Sequence, residues 1–257
     1  MYQCRSKELY QPGVPKVRIV INSICTCCFI FIHFLNPLSH VVFQSLTISR
    51  IPNLGAVLEN KWNGILHELE GAGDRSMKIG IGLPAMPHDT SGKYEKMIDM
   101  ILSICEKHDC FFIEQMPYDK PKLLKYAKGK VNETKIMEFK EGVEKWFEFV
   151  QGLDIVVSAR IHDGMVGISN AIPTIIIPTD YRILELIYAM ELPYVALEDV
   201  VGTEFHSLIE LMAATKADFK EFERIRRNHI KSCKNILESV GIEMDATLVN
   251  IIMTETL

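Results

Sequence analysis

Short apolar runs alternate with longer amphipathic segments along the chain from Met77 onward. The short runs are apolar throughout, which is typical of buried β-strands, whereas the longer segments repeat their apolar residues at helical spacing. The predicted strands are Lys78–Leu83, Cys110–Gln115, Ile155–Ser158, Thr174–Ile177 and Tyr194–Leu197. The predicted helices are Val57–Leu69, Tyr94–Lys107, Glu141–Gln151, Asp163–Asn170, Ile183–Met190, Glu204–Ala213 and Lys216–Val240. Because strands joined through helices run parallel, the sequence predicts an α/β, Rossmann-like parallel sheet with helices on both faces.

The first 49 residues differ from the remainder in composition. Residues 19–49 contain no Asp, Glu, Lys or Arg, and basic residues between Arg5 and Arg18 precede them. The apolar stretch from Ile19 to Leu35 is short for a membrane span, and one interpretation is a signal anchor with its basic end in the cytoplasm. The others are a damaged remnant of an N-terminal domain, or non-native sequence from a faulty gene model. With an anchor the chain is a single-pass membrane protein of the secretory pathway; without one we expect it in the cytoplasm.

The pattern divides the chain into three parts. Residues 1–49 form the atypical hydrophobic segment, residues 50–215 the Rossmann-like domain, and residues 216–257 an amphipathic C-terminal helix and tail. The 28 Lys and Arg residues against 33 Asp and Glu give a net charge of −5. No overall field therefore attracts nucleic acid, and an anionic ligand has to be held by a local arrangement of side chains.

The cysteines do not predict a metal site. There are 7, an odd number, without the regular spacing of a disulfide scaffold, so such a scaffold is not expected. Cys25, Cys27 and Cys28 lie close together, but a zinc site needs four ligands and no second Cys or His pair follows at a suitable spacing. We interpret these three as small apolar residues within a hydrophobic run.

The candidate chemistry lies at the end of the predicted strand Ile155–Ser158. Arg160 and His162 follow this strand directly, where the next helix begins. Ligands bind outside the carboxyl ends of parallel strands, and a helix N-terminus adds positive potential, so a phosphate or carboxylate suits this position. In the alternative interpretation, Arg160 pairs with Asp154 or Asp163 and His162 caps the turn.

Arg182 follows the next predicted strand and is close enough in the predicted topology to reach the same pocket; a solvated helix N-terminus is the alternative. Two glycine-containing strings also resemble phosphate-binding motifs. Gly80-Ile81-Gly82 lacks the third glycine of a dinucleotide fingerprint, and Ser91-Gly92-Lys93-Tyr94 lacks both the first glycine and the last Ser or Thr of a P-loop. We interpret both strings as turns. His88 and Asp89 are the polar residues of the loop between them.

The run from Gly152 to His162, followed by Gly164 and by residues 171–177, resembles the signature of the polysaccharide pyruvyl transferase family. The resemblance covers roughly residues 51–197 and is densest over the last 45 or so of these. It implies one half of a GT-B-like fold, in which two Rossmann-like halves enclose the active site. It also implies transfer of a pyruvyl group from phosphoenolpyruvate to two hydroxyls of a glycan, with no further cofactor.

The resemblance assigns roles to individual residues. Arg160, Ile161 and His162 would bind phosphoenolpyruvate, with Arg160 as the clamp and His162 as the acid/base group. Family members usually carry a lysine where this chain has Arg182; arginine keeps the charge but does not donate a proton readily. Arg160 and His162 are therefore the expected catalytic residues, and Arg182 is expected to help to bind the substrate.

The chain departs from the family in its first half. At most about fifty residues precede the resemblance, whereas the family's N-terminal domain is far longer. Either the chain is a fragment, or it is an inactive relic, or a partner chain completes the cleft. Self-association is one form of the last case, with a second copy of this chain as the partner. A GT-B-type nucleotide-sugar glycosyltransferase, with Glu185 holding the ribose, and a non-catalytic binding module are the rival interpretations.

Overall fold

The computed structural model describes residues 51–71, 75–84, 92–114, 120–121, 123–124, 131–138, 143–203 and 205–239. Its strands are β1 (Lys78–Gly82), β2 (Asp109–Glu114), β3 (Ile136–Glu138), β4 (Ile155–Ser158) and β5 (Thr174–Ile176). Its α-helices are α1 (Leu54–Glu70), α2 (Lys93–Cys105), α3 (Val143–Gln151), α4 (Ile161–Ser169), α5 (Tyr181–Met190), α6 (Leu197–Gly202), α7 (Leu208–Ala214) and α8 (Phe219–Ser239).

The five strands form one parallel sheet in the order β3-β2-β1-β4-β5. The predicted α/β, Rossmann-like parallel sheet is thereby confirmed. Ile81 lies beside Phe112 of β2 on one side and beside Val157 of β4 on the other. Since all strands point the same way, their carboxyl ends meet at one edge of the sheet.

Both faces of the sheet are covered, as the sequence predicts. Ile155 and Val157 belong to the larger apolar core, whereas Val156 between them belongs to a second core with Trp146 and Val150 of α3. Neighbouring residues of a strand point to opposite faces. The uniformly apolar sequence of β4 therefore reflects burial on both sides.

The structure differs from the prediction in one strand that is nearly absent and in two elements, β3 and α6, that the sequence does not predict. The strand predicted at Tyr194–Leu197 is reduced to Tyr194, which forms a parallel bridge with Ile176 and an antiparallel bridge with Lys216. The chain then turns into α6, which begins at Leu197, so the segment is too short to form a ladder. Conversely, the short strand β3 is not predicted, because its three residues lie among charged and polar neighbours.

The last helix packs against the first through a buried charge network. The Glu223 carboxylate of α8 accepts hydrogen bonds from the Gly55 N–H at 3.0 Å and from Arg226, whose Nη2 lies 2.6 Å away. Arg227 donates from Nε to the same carboxylate at 3.0 Å. The Phe219 ring lies 5.8 Å from that of Trp62 on α1. Helix α8 is thus joined to the domain by both charged and apolar contacts.

Two half-buried histidines give the fold a dependence on pH. Burial lowers the pKa of His229 below its ordinary value of 6.5, and the His229 Nδ1 atom has no hydrogen-bond partner among the described residues. Burial, and secondly the charge of Lys107, lowers the pKa of His108. A histidine with a lowered pKa in the folded state takes up its proton more readily in the unfolded chain. The contribution of these histidines to the free energy of unfolding is therefore fully present above pH 6.5, and it decreases as the pH drops below that value.

We predict that the free energy of unfolding decreases between pH 7.5 and pH 5.5, a window that begins above the ordinary histidine pKa of 6.5. Urea unfolding at several pH values measures this dependence. A His229→Leu variant should show a shallower dependence over the same window, because it removes one of the two groups. Equal slopes for the two proteins would contradict the prediction.

The expectations for the first 49 residues, including the membrane anchor at residues 19–35, lie outside the described residues. None of the helices that the structure describes is long and apolar enough to cross a membrane. Among the described residues, Cys105 at the end of α2 forms a disulfide with Cys110 in β2. Cys25, Cys27 and Cys28 are not described.

Candidate functional site

The strand order creates a crevice at the carboxyl ends of β1 and β4. From β1 the chain continues to β2 on one side of the sheet, whereas from β4 it continues to β5 on the other side. The two loops therefore leave in opposite directions, and the space between them is where open α/β sheets bind their ligands. Leu83 follows β1 and Arg160 follows β4, so both lie at this crevice.

Arg160 spans the crevice. It is the N-cap residue of α4, with an extended backbone, and its N–H donates to the Ser158 Oγ at 3.0 Å. Its Nε donates to the Leu83 carbonyl oxygen at 2.6 Å, and the residue is only 9% exposed. Guanidinium groups stay charged at all physiological pH values. The structure thus places a fixed positive charge at the switch point of the sheet.

His162 and Ile161 occupy the first turn of α4, immediately after Arg160. His162 is half-buried, and the side chain of Ile161 packs against the larger core. The helix begins at Ile161, two residues earlier than predicted. Arg160 and His162 therefore belong to one strand-to-helix turn, and the positive end of the helix dipole lies at the same place.

Asp163 stabilises this turn from its buried side. It is fully buried, and its Oδ2 lies 3.3 Å from the Ser158 Oγ, which itself lies 2.9 Å from the Arg160 carbonyl oxygen. A Cβ on Gly82 would collide with both the Ser158 hydroxyl and the Asp163 carboxylate. The absence of a side chain at Gly82 allows this polar group to pack onto the end of β1.

The interpretation of Gly80-Ile81-Gly82 as a turn is wrong. All three residues lie within β1, and a Cβ on Gly80 would meet the Leu153 side chain at 2.5 Å. These glycines serve close packing within the sheet. Gly92, by contrast, has φ +71° at the start of α2, which is the left-handed conformation that a turn glycine adopts.

Three loops meet at the carboxyl edge. The Thr179 hydroxyl, after β5, donates to the Ala159 carbonyl oxygen at 3.3 Å. The Tyr94 hydroxyl, in the first turn of α2, donates to the Thr179 carbonyl oxygen at 3.1 Å. The loops that follow β4 and β5 are therefore adjacent, and the start of α2 holds the second of them.

The Arg182 guanidinium is engaged at the surface. It lies 2.9 Å from the Asp180 carboxylate, and its side chain is 88% exposed. The hydrogen bond that Arg182 donates to the Asp180 carboxylate, together with the negative charge of that carboxylate, raises the pKa of Arg182. Burial by itself raises the pKa of Asp180, but the bonds from Arg182 and the Ile183 N–H outweigh it and lower that pKa. The structure brings Arg160, Ile161 and His162 together, while Arg182 contacts the carboxylate that caps α5.

The alternative pairing of Arg160 with Asp154 is wrong. Asp154 precedes β4, at the opposite edge of the sheet, where its carboxylate accepts the Lys78 N–H at 2.8 Å and lies 3.5 Å from Arg75. Arg160 lies beyond the other end of the same strand. The N-cap residue of α4 is Arg160.

Comparison with known proteins gives no further information on this site. No family model, curated protein or solved structure matches the chain. Within the described residues, no group of three or more His, Cys, Asp or Glu side chains is placed to hold a metal ion. His88 and Asp89 lie outside those residues. The functional argument therefore rests on the carboxyl edge itself.

One residue of this edge is not among the candidates that the sequence indicates. Glu114 is the last residue of β2, and it is only 9% exposed. A single acidic residue that ends an apolar run was the available signal, because the carboxyl end of a parallel strand faces the ligand edge. Continuing the register in which Ile81 lies beside Phe112 places Glu114 level with Leu83.

Proposed function

We propose that the carboxyl edge of this sheet is the donor half of a polysaccharide pyruvyl transferase, which binds phosphoenolpyruvate and transfers its pyruvyl group to a glycan. The observation that carries the proposal is Arg160, which is buried at the switch crevice with its Nε on the Leu83 carbonyl oxygen. The resemblance of residues 152–177 to that family supports it. The domain would correspond to one half of a GT-B-like fold.

The chemistry of the donor suits this charge. Phosphoenolpyruvate carries a phosphate and a carboxylate, both of which pair with a guanidinium through two parallel hydrogen bonds. The N-terminus of α4 adds its dipole at the same position. Because the net charge of the chain is negative, attraction of the donor depends on these local groups.

His162 supplies the proton transfer in this proposal. Protonation of the enol methylene makes C2 of phosphoenolpyruvate cation-like, a glycan hydroxyl attacks C2, and phosphate then departs. Attack by a second hydroxyl closes the cyclic ketal. An imidazole titrates near neutral pH, so it can give and take protons during these steps. His162 lies two residues from Arg160 in the same turn, and is thus close to a donor held there.

The rival functions make different binding predictions. A nucleotide-sugar glycosyltransferase would bind its donor diphosphate at the same edge, with Glu185 as the ribose ligand; Glu185 lies exposed on α5. A non-catalytic module would bind neither donor. Calorimetric titration of the purified protein with phosphoenolpyruvate and with a nucleotide sugar separates the three, and only the first ligand should bind under our proposal.

We predict that Arg160→Gln weakens phosphoenolpyruvate binding roughly 10- to 150-fold, the equivalent of a charge-assisted hydrogen-bond loss of about 1.5–3 kcal/mol. Arg160→Lys should give an intermediate loss, because lysine keeps the charge without the planar fork. The same titration with Arg182→Gln tests whether the second arginine contributes.

Arg224→Gln is the matched control, since Arg224 pairs with Glu221 on the surface of α8. It should leave the affinity unchanged. If Arg160→Gln binds phosphoenolpyruvate as tightly as the original protein, the proposed function is wrong. Melting temperatures of all variants check that each one folds.

A further inference from the structure

The turn before β3 contains a sequence that the eukaryotic secretory pathway can glycosylate. Asn132-Glu133-Thr134 has the N-x-[ST] pattern of an N-glycosylation acceptor, and this pattern occurs once in the chain. Such a short pattern is used only where its asparagine is accessible and the protein enters the compartment that contains the transferase. The structure bears on both conditions.

The Asn132 side chain lies at the surface in a defined turn. It is exposed, and it is the N-cap residue of the 3-10 turn Glu133–Lys135. Its Oδ1 atom accepts a hydrogen bond from the Thr134 N–H at 3.0 Å, which forms an Asx turn. Because this bond uses the amide oxygen, the turn leaves the amide nitrogen, which takes the glycan, out of its hydrogen bond. Thr134, whose hydroxyl completes the pattern, is exposed as well.

The surrounding chain holds this turn on the outside of the domain. Val131 and Ile136 flank the turn and are buried in the larger core, at 9% and 8% exposure. Asn132 precedes the amino end of β3, the outermost described strand on this side of the sheet, whereas Arg160 lies beyond the carboxyl end of β4. A glycan on Asn132 would therefore leave the candidate functional site open.

The disulfide between Cys105 and Cys110 indicates the compartment. The Cα atoms of the two cysteines lie 5.4 Å apart, a usual separation for such a bond. Disulfides persist in the secretory pathway and outside the cell, and they are rare in the cytosol, where thiols are kept reduced. Formation of the bond removes two electrons and two protons from the thiols, which the disulfide oxidants of the secretory pathway accept. The same compartment contains the N-glycosylation machinery.

We propose that this domain folds in the lumen of the secretory pathway, where Asn132 carries an N-linked glycan. The donor is an oligosaccharide joined through its anomeric carbon to a polyprenyl diphosphate. The Asn132 Nδ2 atom forms a bond to that carbon and loses one proton, while the bond from the carbon to the phosphate oxygen breaks and the polyprenyl diphosphate leaves. The signal-anchor interpretation of residues 19–35, with its basic end in the cytoplasm, agrees with this location.

Expression of the full chain in insect cells tests the proposal. Treatment with peptide N-glycosidase F should increase the electrophoretic mobility by the equivalent of one glycan, and peptide mass spectrometry should find the deamidation that this enzyme leaves at position 132. Asn132→Gln should abolish the shift completely. Thr134→Val should also abolish it, because it removes the hydroxyl but keeps the backbone N–H that bonds to Asn132. Thr134→Ser, which keeps the hydroxyl, should retain the shift.

Asn228→Gln is the matched control, since Asn228 is an exposed asparagine on α8 outside any N-x-[ST] pattern. It should show the same shift as the original protein. A second measurement counts the thiols that react with a maleimide before and after reduction of the protein from these cells. Reduction should release two more thiols in the original protein than in a Cys105→Ser, Cys110→Ser double variant.

Three results would overturn the proposal. The first is an original protein whose mobility the glycosidase leaves unchanged, and the second is an Asn132→Gln protein that keeps the shift. The third is a Cys105 and Cys110 pair that reacts with the maleimide without prior reduction, because the domain would then have folded in a reducing compartment. Phosphoenolpyruvate takes no part in these measurements, so their outcome is independent of the proposed function.

Discussion

Replacing His162 with alanine is expected to lower the turnover of phosphoenolpyruvate by a factor of about 100 to 10,000, the usual contribution of a positioned acid/base group. The proton that reaches the methylene carbon would then have to come from water. His162 is half-buried in the first turn of α4, outside both apolar cores, so the melting temperature should change little. Phosphate released from phosphoenolpyruvate, with a mixture of methyl glycosides as acceptors, measures the turnover.

The matched control is His67→Ala, which changes an exposed histidine on α1. Its turnover should equal that of the original protein. A His162→Ala protein that folds and keeps full turnover would remove His162 from the mechanism. A large loss of melting temperature in the same variant would instead show that the histidine stabilises the fold.

The largest expected effect on stability comes from Glu223→Ala. The change removes the Glu223 carboxylate from the Arg226 guanidinium, whose side chain is 1% exposed, and it removes the acceptor of the Gly55 N–H. Loss of one partner from a buried ion pair typically costs about 3–5 kcal/mol. Urea unfolding near neutral pH measures the loss of unfolding free energy.

Glu221→Ala provides the control on the same helix. Glu221 pairs with Arg224 at the surface, so its replacement should change stability little. Replacing Glu223 with glutamine and Arg226 with methionine together should recover part of the loss, because the buried charge of Arg226 is then removed together with that of Glu223. Equal effects of Glu223→Ala and Glu221→Ala would contradict the prediction.

The same carboxylate contributes to acid sensitivity. Burial by itself raises the pKa of Glu223, but the hydrogen bonds from Arg226, the Gly55 N–H and Arg227 outweigh it and lower the pKa below the ordinary 4.5. A carboxylate whose pKa is lowered in the folded state stabilises that state above its ordinary pKa. This contribution is lost as the pH falls below the ordinary pKa. The loss of this contribution below pH 4.5 therefore adds to the effect of the half-buried histidines, which begins at higher pH.

The sequence predicted the strands of the sheet well where burial is complete. The run Ile155–Ser158 is bounded by Asp154 and Arg160, and the strand β4 matches the prediction at both ends. Helix starts were less accurate: α5 begins at Tyr181 because Asp180 caps it by accepting the Ile183 N–H at 3.0 Å. Apolar periodicity does not register such a cap, so the prediction began two residues late.

The candidate site was predicted in part. The position of Arg160 and His162 follows from the order of strand and helix, which periodicity reveals. The contact of Arg160 with Leu83 depends on the spatial order of the strands, since residues 77 positions apart meet there. Glu114 was missed for the same reason, because only the placement of β2 beside β1 makes its neighbourhood visible.

The bridges made by Tyr194 affect how the protein behaves at high concentration. An open sheet edge can recruit a strand from another molecule and start aggregation. Beyond β5, however, the N–H and carbonyl groups of Tyr194 are bonded to Lys216 at 3.1 and 2.8 Å. A second chain would have to break both bonds before it could add a strand there, so this flank of the sheet resists self-templated growth.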